Sequence, residues 1–227
     1  MDPTNLALMT ATPHGGGVVY SLDVQTLLII TGLAFLPGLV LLMTGFTRII
    51  VILALARQAF GLTTTPPNLI LIALAMVLAA FVMRPTLQAI NHDALQPYLT
   101  GQLGFQDAVN EGEAPLRKFM LSQVRTRELH LFVDLSGKRS YADEDAIPML
   151  VLVPAFATSE LQTAFEIGFL IYIPFALIDL AIASVLMALG MIMVSPTLIS
   201  LPIKLLLFVA IGGWGLLIGS VAGSFVR

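Results

Sequence analysis

Four long apolar stretches dominate the chain, running from about Val24 to Ala56, Leu69 to Met83, Leu161 to Val194 and Leu201 to Val226. They are rich in Leu, Ala, Met and Ile and show no period-two alternation, which predicts helices and argues against the strands of a membrane barrel. A helix needs roughly 20 residues to cross a bilayer core. The first, third and fourth stretches exceed that length, and the second reaches it only by continuing past Arg84-Pro85 toward Ile90. Pro37 and Pro174 lie well inside the first and third stretches. Because proline removes a backbone donor and crowds the preceding turn, a kink or break is expected near each.

The short polar segments Gly61 to Asn68 and Ser195 to Pro202 are expected to be loops. Connections this short make the flanking helices antiparallel neighbours, first with second and third with fourth. Between the two pairs lies a polar insert. There Leu116, Phe119, Met120 and Val124 share one helical face, with Arg117, Lys118 and Arg125 expected to point away from it. Leu129, Leu131, Val133 and Leu135 alternate and suggest a strand, and Gly137 to Asp145 forms a polar loop. The expected fold class is an all-α membrane-type protein, with two long, kinked helical hairpins flanking a small, mainly helical polar insert. The expected division is a tail over 1–23, a first hairpin over 24–90, the insert over 91–150 and a second hairpin over 151–227.

Composition supports the membrane reading. Hydrophobic residues make up 57% of the chain and charged residues 11%, against about 25% charged in an ordinary soluble domain. So little charge cannot dress a water-facing surface. The net charge of −3 gives no basic excess for nucleic acid, and the absence of cysteine excludes disulfides and thiolate metal sites. Residues 1 to 21 contain no Lys or Arg, and the segment His14-Gly15-Gly16-Gly17 is loop-like, so no cleavable signal is expected. Arg57 in the first short loop favours that loop inside, with the tail and insert outside.

Polar residues inside apolar surroundings are the candidates for special roles: Arg48, Glu160, Glu166, Asp179 and Lys204. A charge at the bilayer centre costs about 2.5–3.5 kcal/mol on insertion scales, so each needs a partner or a wet cavity. The plainer reading is internal structural pairing, with Asp179 and Lys204 as a candidate pair across the second hairpin; the sharper one is a proton or ion relay. The segment from Met187 to Pro196 crowds three methionines beside Gly190 and ends at a Ser-Pro break. Methionine fills irregular gaps, so ordinary packing competes with a soft constriction in a pore. Gly215, Gly219 and Gly223 recur every fourth residue, a spacing that suits close helix packing. The histidines His14, His92 and His130 are scattered, and there is no His-Glu-x-x-His, Gly-x-Ser-x-Gly or phosphate-loop motif. No catalytic set, metal site or cofactor is expected.

Ordered motifs resemble the FliP family of flagellar export-gate proteins. They begin with Gly45-Phe46-Thr47-Arg48-Ile49-Ile50-Val51-Ile52-Leu53, Arg57-Gln58-Ala59-Phe60-Gly61 and Thr65-Pro66-Pro67-Asn68. They resume at Pro154-Ala155-Phe156 and Ser159-Glu160-Leu161 and continue through Pro174-Phe175, Ile178-Asp179-Leu180, Gly190-Met191, Ser195-Pro196, Ser200-Leu201-Pro202 and Lys204. Virulence-secretion homologues share most of these, whereas Pro115-Leu116-Arg117-Lys118-Phe119-Met120 is closer to the flagellar branch. The resemblance implies a core subunit of the type III export gate in the bacterial inner membrane and flagellar basal body. It implies a ring of copies of the chain, expected as a pentamer, with two smaller membrane proteins of the FliQ and FliR type. The large export-gate protein and unfolded protein substrates are the further partners implied. It also assigns Met191 and Met193, beside Gly190, to a gasket that closes the pore. Three features depart from the family: Ile192 stands between the two methionines, Gly212 stands where an Asp is common, and the signal found in many members is not evident. The competing readings are a virulence-type gate subunit and a secondary transporter built on Pro-broken helices; an intramembrane enzyme is least supported.

Overall fold

A computed structural model describes residues 10–14, 17–21, 24–138, 141, 143, 146–191 and 193–225. The chain divides into two compact units, Met1–Leu41 and Leu42–Arg227. In the first, strands β1 (Thr10–His14) and β2 (Gly17–Ser21) pair antiparallel, with Thr10 opposite Ser21 and His14 opposite Gly17. Helix α1 (Val24–Leu42) follows and runs on through Pro37. Its large side chains are exposed all round, Leu28 at 67% and Phe35 at 69% among them. A helix that is apolar on every side belongs in lipid or inside an assembly.

Every described element of the second unit is a helix. It comprises α2 (Phe46–Ala59), α3 (Asn68–Val82), α4 (Arg84–Ile90), a π-helical turn over Asn91–Leu95, α5 (Gln96–Leu99), α6 (Phe105–Gln123) and α7 (Thr126–Leu135). Then come α8 (Met149–Ala188), α9 (Pro196–Ala210) and α10 (Gly213–Gly223). Helix α2 buries Ile49, Ile52, Leu53 and Ala56. That spacing of i, i+3, i+4, i+7 makes one face, and α8 is the element it packs on most extensively. Gly168 of α8 lets Leu55 of α2 lie directly on its backbone. Ala75 and Ala79 of α3 join this core, as do Phe208 of α9 and Val221 of α10. Phe60 closes it, its ring 4.8 Å from Phe175 and 4.6 Å from Phe208 in edge-on geometry. A second core forms under the insert from Met120, Ile147, Leu152 and Phe156.

Helix α8 has 40 residues, about 60 Å at 1.5 Å per residue, roughly twice the hydrocarbon thickness of a bilayer. It is long and apolar enough to cross a membrane, and up to 4 spans result if each bent helix pair counts as one. Helix α3 bends by 66° into α4–α5, and α9 bends by 70° into α10. The fold is thus an all-α membrane-type fold, with the β1–β2 hairpin added in the N-terminal unit.

Several local expectations change. Helix α8 continues through both Pro154 and Pro174, and α1 continues through Pro37. A proline deprives one carbonyl of its partner, and the turns on either side keep theirs. The breaks fall instead at Met43–Gly45, at Met83 and at Gly212, whose φ of +66° is left-handed. The second short loop lies before Pro196, not across Ser195 to Pro202, because Pro196 opens α9 where no intrahelical donor is needed. The expected strand over Leu129 to Leu135 is helix α7: Val133 is buried and Leu129 packs against the second core, while Leu131 and Leu135 stay exposed. Arg117 and Arg125 do not point away into solvent. Arg117 donates to the Ile147 carbonyl and pairs with Glu113, and Arg125 reaches α8. The expected loop from Gly137 to Asp145 falls partly outside the described residues, as do most of the tail, Gly15, Gly16, Ile192 and the end of the fourth stretch.

Candidate functional site

The methionine-bearing loop joins α8 to α9. Helix α8 ends in a Schellman arrangement: Gly190 N donates to Met187 O at 3.0 Å and Met191 N to Leu186 O at 2.9 Å. The motif needs a left-handed residue, and Gly190 supplies it at φ +74°. At the far side Ser195 precedes Pro196, its hydroxyl 2.7 Å from that of Thr197. Between these ends Met193 is fully exposed, and Met191, Met187, Leu189 and Leu198 are also open. An apolar tip of this kind is stable only against other apolar surface.

An ion pair between a buried lysine and a partly exposed aspartate fixes the hairpin that carries the loop. Lys204 Nζ of α9 donates to Asp179 Oδ2 of α8 at 2.6 Å and to the Ala59 carbonyl of α2 at 2.9 Å. The lysine is 2% exposed, so its charge is viable only with this partner. At 1.5 Å per residue, Asp179 lies about 14 Å from the end of α8 and Lys204 about 12 Å from the start of α9. The pair therefore sets the register of the two helices a little below the loop and ties their base to the first hairpin. The other oxygen, Asp179 Oδ1, is buried without a hydrogen-bond partner.

A second pair joins Arg48 of α2 to Glu160 of α8, with both side chains nearly sealed from solvent. The guanidinium uses its whole fork. Nε donates to Glu160 Oε2 at 3.0 Å, Nη1 to the Ser224 carbonyl at 2.8 Å, and Nη2 to Gln123 Oε1 at 3.2 Å as well as to Glu160. Phe225 covers the guanidinium, its ring centroid 3.9 Å away, and its carbonyl accepts from Gln123 Nε2 at 3.2 Å. Gly45 makes room, since a Cβ there would meet the Phe225 ring at 2.7 Å. Glu166 pairs with Arg125, which links the insert to α8 through contacts of 2.7 and 2.5 Å and also donates to Thr163. The hydrogen bond that Arg125 donates to the Glu166 carboxylate raises the Arg125 pKa, so this arginine stays charged throughout the physiological range.

The sequence candidates therefore separate into three places. Arg48 and Glu160 meet, Asp179 and Lys204 meet, and the methionine loop stands alone at the hairpin tip. Sequence reasoning missed Gln123, Ser224 and Phe225, which reach Arg48 from far along the chain. Arg57 entered the sequence reading as an orientation signal and a family motif, not as a partner of Asn68, yet its Nη1 donates to Asn68 Oδ1 at 2.7 Å and to the Pro66 carbonyl at 3.1 Å, which ties the first loop to α2. His92 is exposed beside Asp93, and His130 is exposed on α7. Among the described residues no group of three metal-ligating side chains forms. The face of Gly215, Gly219 and Gly223 is open, and a Cβ added at any of the three would meet nothing within 4 Å.

The sequence is similar to known proteins over most of its length. The chain is 50% identical over 217 residues to the flagellar biosynthetic protein FliP of Cereibacter sphaeroides, covering 96% of this chain and 72% of that one. It is 50% identical over 218 residues to FliP of Pectobacterium carotovorum, covering 96% and 84%. It is 43% identical over 205 residues to FliP of Bacillus subtilis, covering 90% and 93%. The FliP family model matches residues 29–221, a span running from within α1 to within α10. The chain belongs to the FliP family.

Proposed function

We propose that this chain is a core subunit of the flagellar type III protein export gate, acting as a channel component and not as a catalyst. The observation that carries the reading is the loop between α8 and α9. Met193 is fully exposed at the tip of a hairpin whose register the pairing of buried Lys204 with Asp179 holds. Copies of the chain arranged in a ring, expected as a pentamer with FliQ- and FliR-type partners, bring these tips to a common axis. There Met191 and Met193 pack as a gasket. Flexible thioether chains exclude water and ions when they meet, and rearrange around unfolded segments of varied shape. Gly190 gives the loop its left-handed turn. The extensive apolar surface of α1, α3 and α8 then meets neighbouring subunits, the large export-gate protein or lipid. The complex lies in the inner membrane at the basal body, with the N-terminus and the insert on the periplasmic side.

The test is ion leakage. Cells carrying Met191→Ala with Met193→Ala are expected to assemble the gate and to leak ions across the membrane when it is idle. Intact assembly with leakage equal to the parent would refute the gasket. Failure to copurify with small membrane proteins would refute the ring itself.

A further inference from the structure

The guanidinium of Arg57 is only partly used. Nη1 donates to the Pro66 carbonyl and to Asn68 Oδ1, and both acceptors are neutral. Nε is buried with no hydrogen-bond partner. Nη2 has none either, and no carboxylate pairs with Arg57 among the described residues. A buried N–H left without an acceptor is costly, more so on a charged group. The same chain shows what this edge of an arginine takes. At Arg48, Nε and Nη2 together receive the two oxygens of the Glu160 carboxylate, the two-pronged match that suits a planar guanidinium. At Arg57 that edge is open.

Arg57 also lines a cavity of about 150 Å³ between the first short loop, α9 and α10, and among the described residues it is the one charged group there. Phe60, Phe208 and Leu217, which share the lining, are buried, whereas Arg57 and Trp214 are partly exposed. The charged side of the cavity is therefore its solvent side, and the interior is apolar. Aromatic rings dominate that interior: Phe208 meets Phe60 at 4.6 Å and Trp214 at 5.5 Å, both edge-on. An apolar cavity of about this volume takes a molecule the size of benzene. We infer that this cavity binds a small aromatic monocarboxylate, with its carboxylate on Nε and Nη2 of Arg57 and its ring among Phe60, Phe208 and Trp214. Residues of both hairpins line the site, so a bound acid ties the first loop to the α9–α10 bend. The site stands apart from the methionine loop and does not rest on the gasket.

The experiment uses the full chain extracted with its native assembly in mild detergent. Benzoate and its neutral isostere benzamide are titrated at neutral pH, with binding read by saturation-transfer NMR and by the shift in thermal melting. Benzoate is expected to bind about tenfold more tightly than benzamide, the factor that separates a charge-assisted hydrogen bond from a neutral one, and to raise the melting temperature. Arg57→Lys keeps the charge and loses the two-pronged edge, so it should weaken benzoate binding by about tenfold and leave benzamide nearly unchanged. Leu205→Phe adds bulk to the cavity wall and leaves Arg57 in place. It should weaken benzoate and benzamide alike. Equal binding of the two probes by the parent chain, no binding of benzoate, or parental benzoate affinity in both variants would overturn the inference. So would benzoate binding to the chain stripped of its partners but not to the intact assembly, because a neighbouring chain's carboxylate would then be the natural occupant.

Discussion

Replacing Glu160 with glutamine keeps the shape of the side chain and removes its charge. Arg48, only 1% exposed, then has no anion beside it among the described residues. Leaving one member of a buried pair uncompensated costs about 3–5 kcal/mol. The neutral acceptors that remain, the Ser224 carbonyl at 2.8 Å and Gln123 Oε1 at 3.2 Å, are already in use and cannot substitute. For a domain of this size, 1 kcal/mol moves the midpoint by about 2–4 °C, so Glu160→Gln should lower the detergent melting temperature by about 6–20 °C. The companion is Arg48→Met with Glu160→Leu. Apolar replacement of a whole buried pair is often neutral or better. Here it also removes the guanidinium's bonds to Ser224 and Gln123, at about 1 kcal/mol each. The double variant should therefore recover at least half of the single variant's loss, as read by thermal melting monitored with intrinsic tryptophan fluorescence and by resistance to limited proteolysis. If the single change shifts melting by less than about 2 °C, or if the double variant is the worse of the two, the pair does not hold the fold as described.

Three further outcomes follow from the same geometry. Gly168→Ala presses a Cβ into Leu55 at the α2–α8 contact, so it should destabilise by about 1–3 kcal/mol, which thermal melting will show. Asp179→Lys and Lys204→Asp should each abolish assembly, and the combined exchange should restore part of it in a co-purification assay; an exchange no better than either single change would argue against a structural pair. Glu166→Gln removes an exposed partner of Arg125 at the surface of α8. Such pairs are worth about 0–1 kcal/mol, so melting should hardly change and any effect should vanish in high salt.

Much of the architecture is legible in the sequence because lipid-type surfaces demand a composition that water-facing ones cannot use. The apolar stretches, the polar insert and the helix around Met120 follow from that demand alone. The break points do not. Pro174 signals a break by removing one donor, yet α8 retains its hydrogen bonds on both sides, while the interruption at Gly45 is tied to Phe225, 180 residues later. The alternation at Leu129, Leu131, Val133 and Leu135 fits both a strand and a helix with one buried stripe, and only the burial of Val133 and the seat of Leu129 against the second core decide it. Asp179 and Lys204 could be matched on the sequence because both lie in one hairpin. Arg48 and Glu160 are 112 residues apart, and nothing local marks either as the other's partner.

The contact between Arg48 and Ser224 spans 176 positions of the chain, which gives it a meaning in time. At about 5–20 residues per second of synthesis, α2 exists for roughly 9–35 s before the carbonyl that completes its arginine's coordination has been made. During that interval the groove between α2 and α8 lacks the Phe225 ring that roofs it, and the core is open at the very place its strongest charge is buried. The subunit closes last around one of its earliest side chains, and a chain shortened by a few residues at this point would present an open, charged seam to its neighbours.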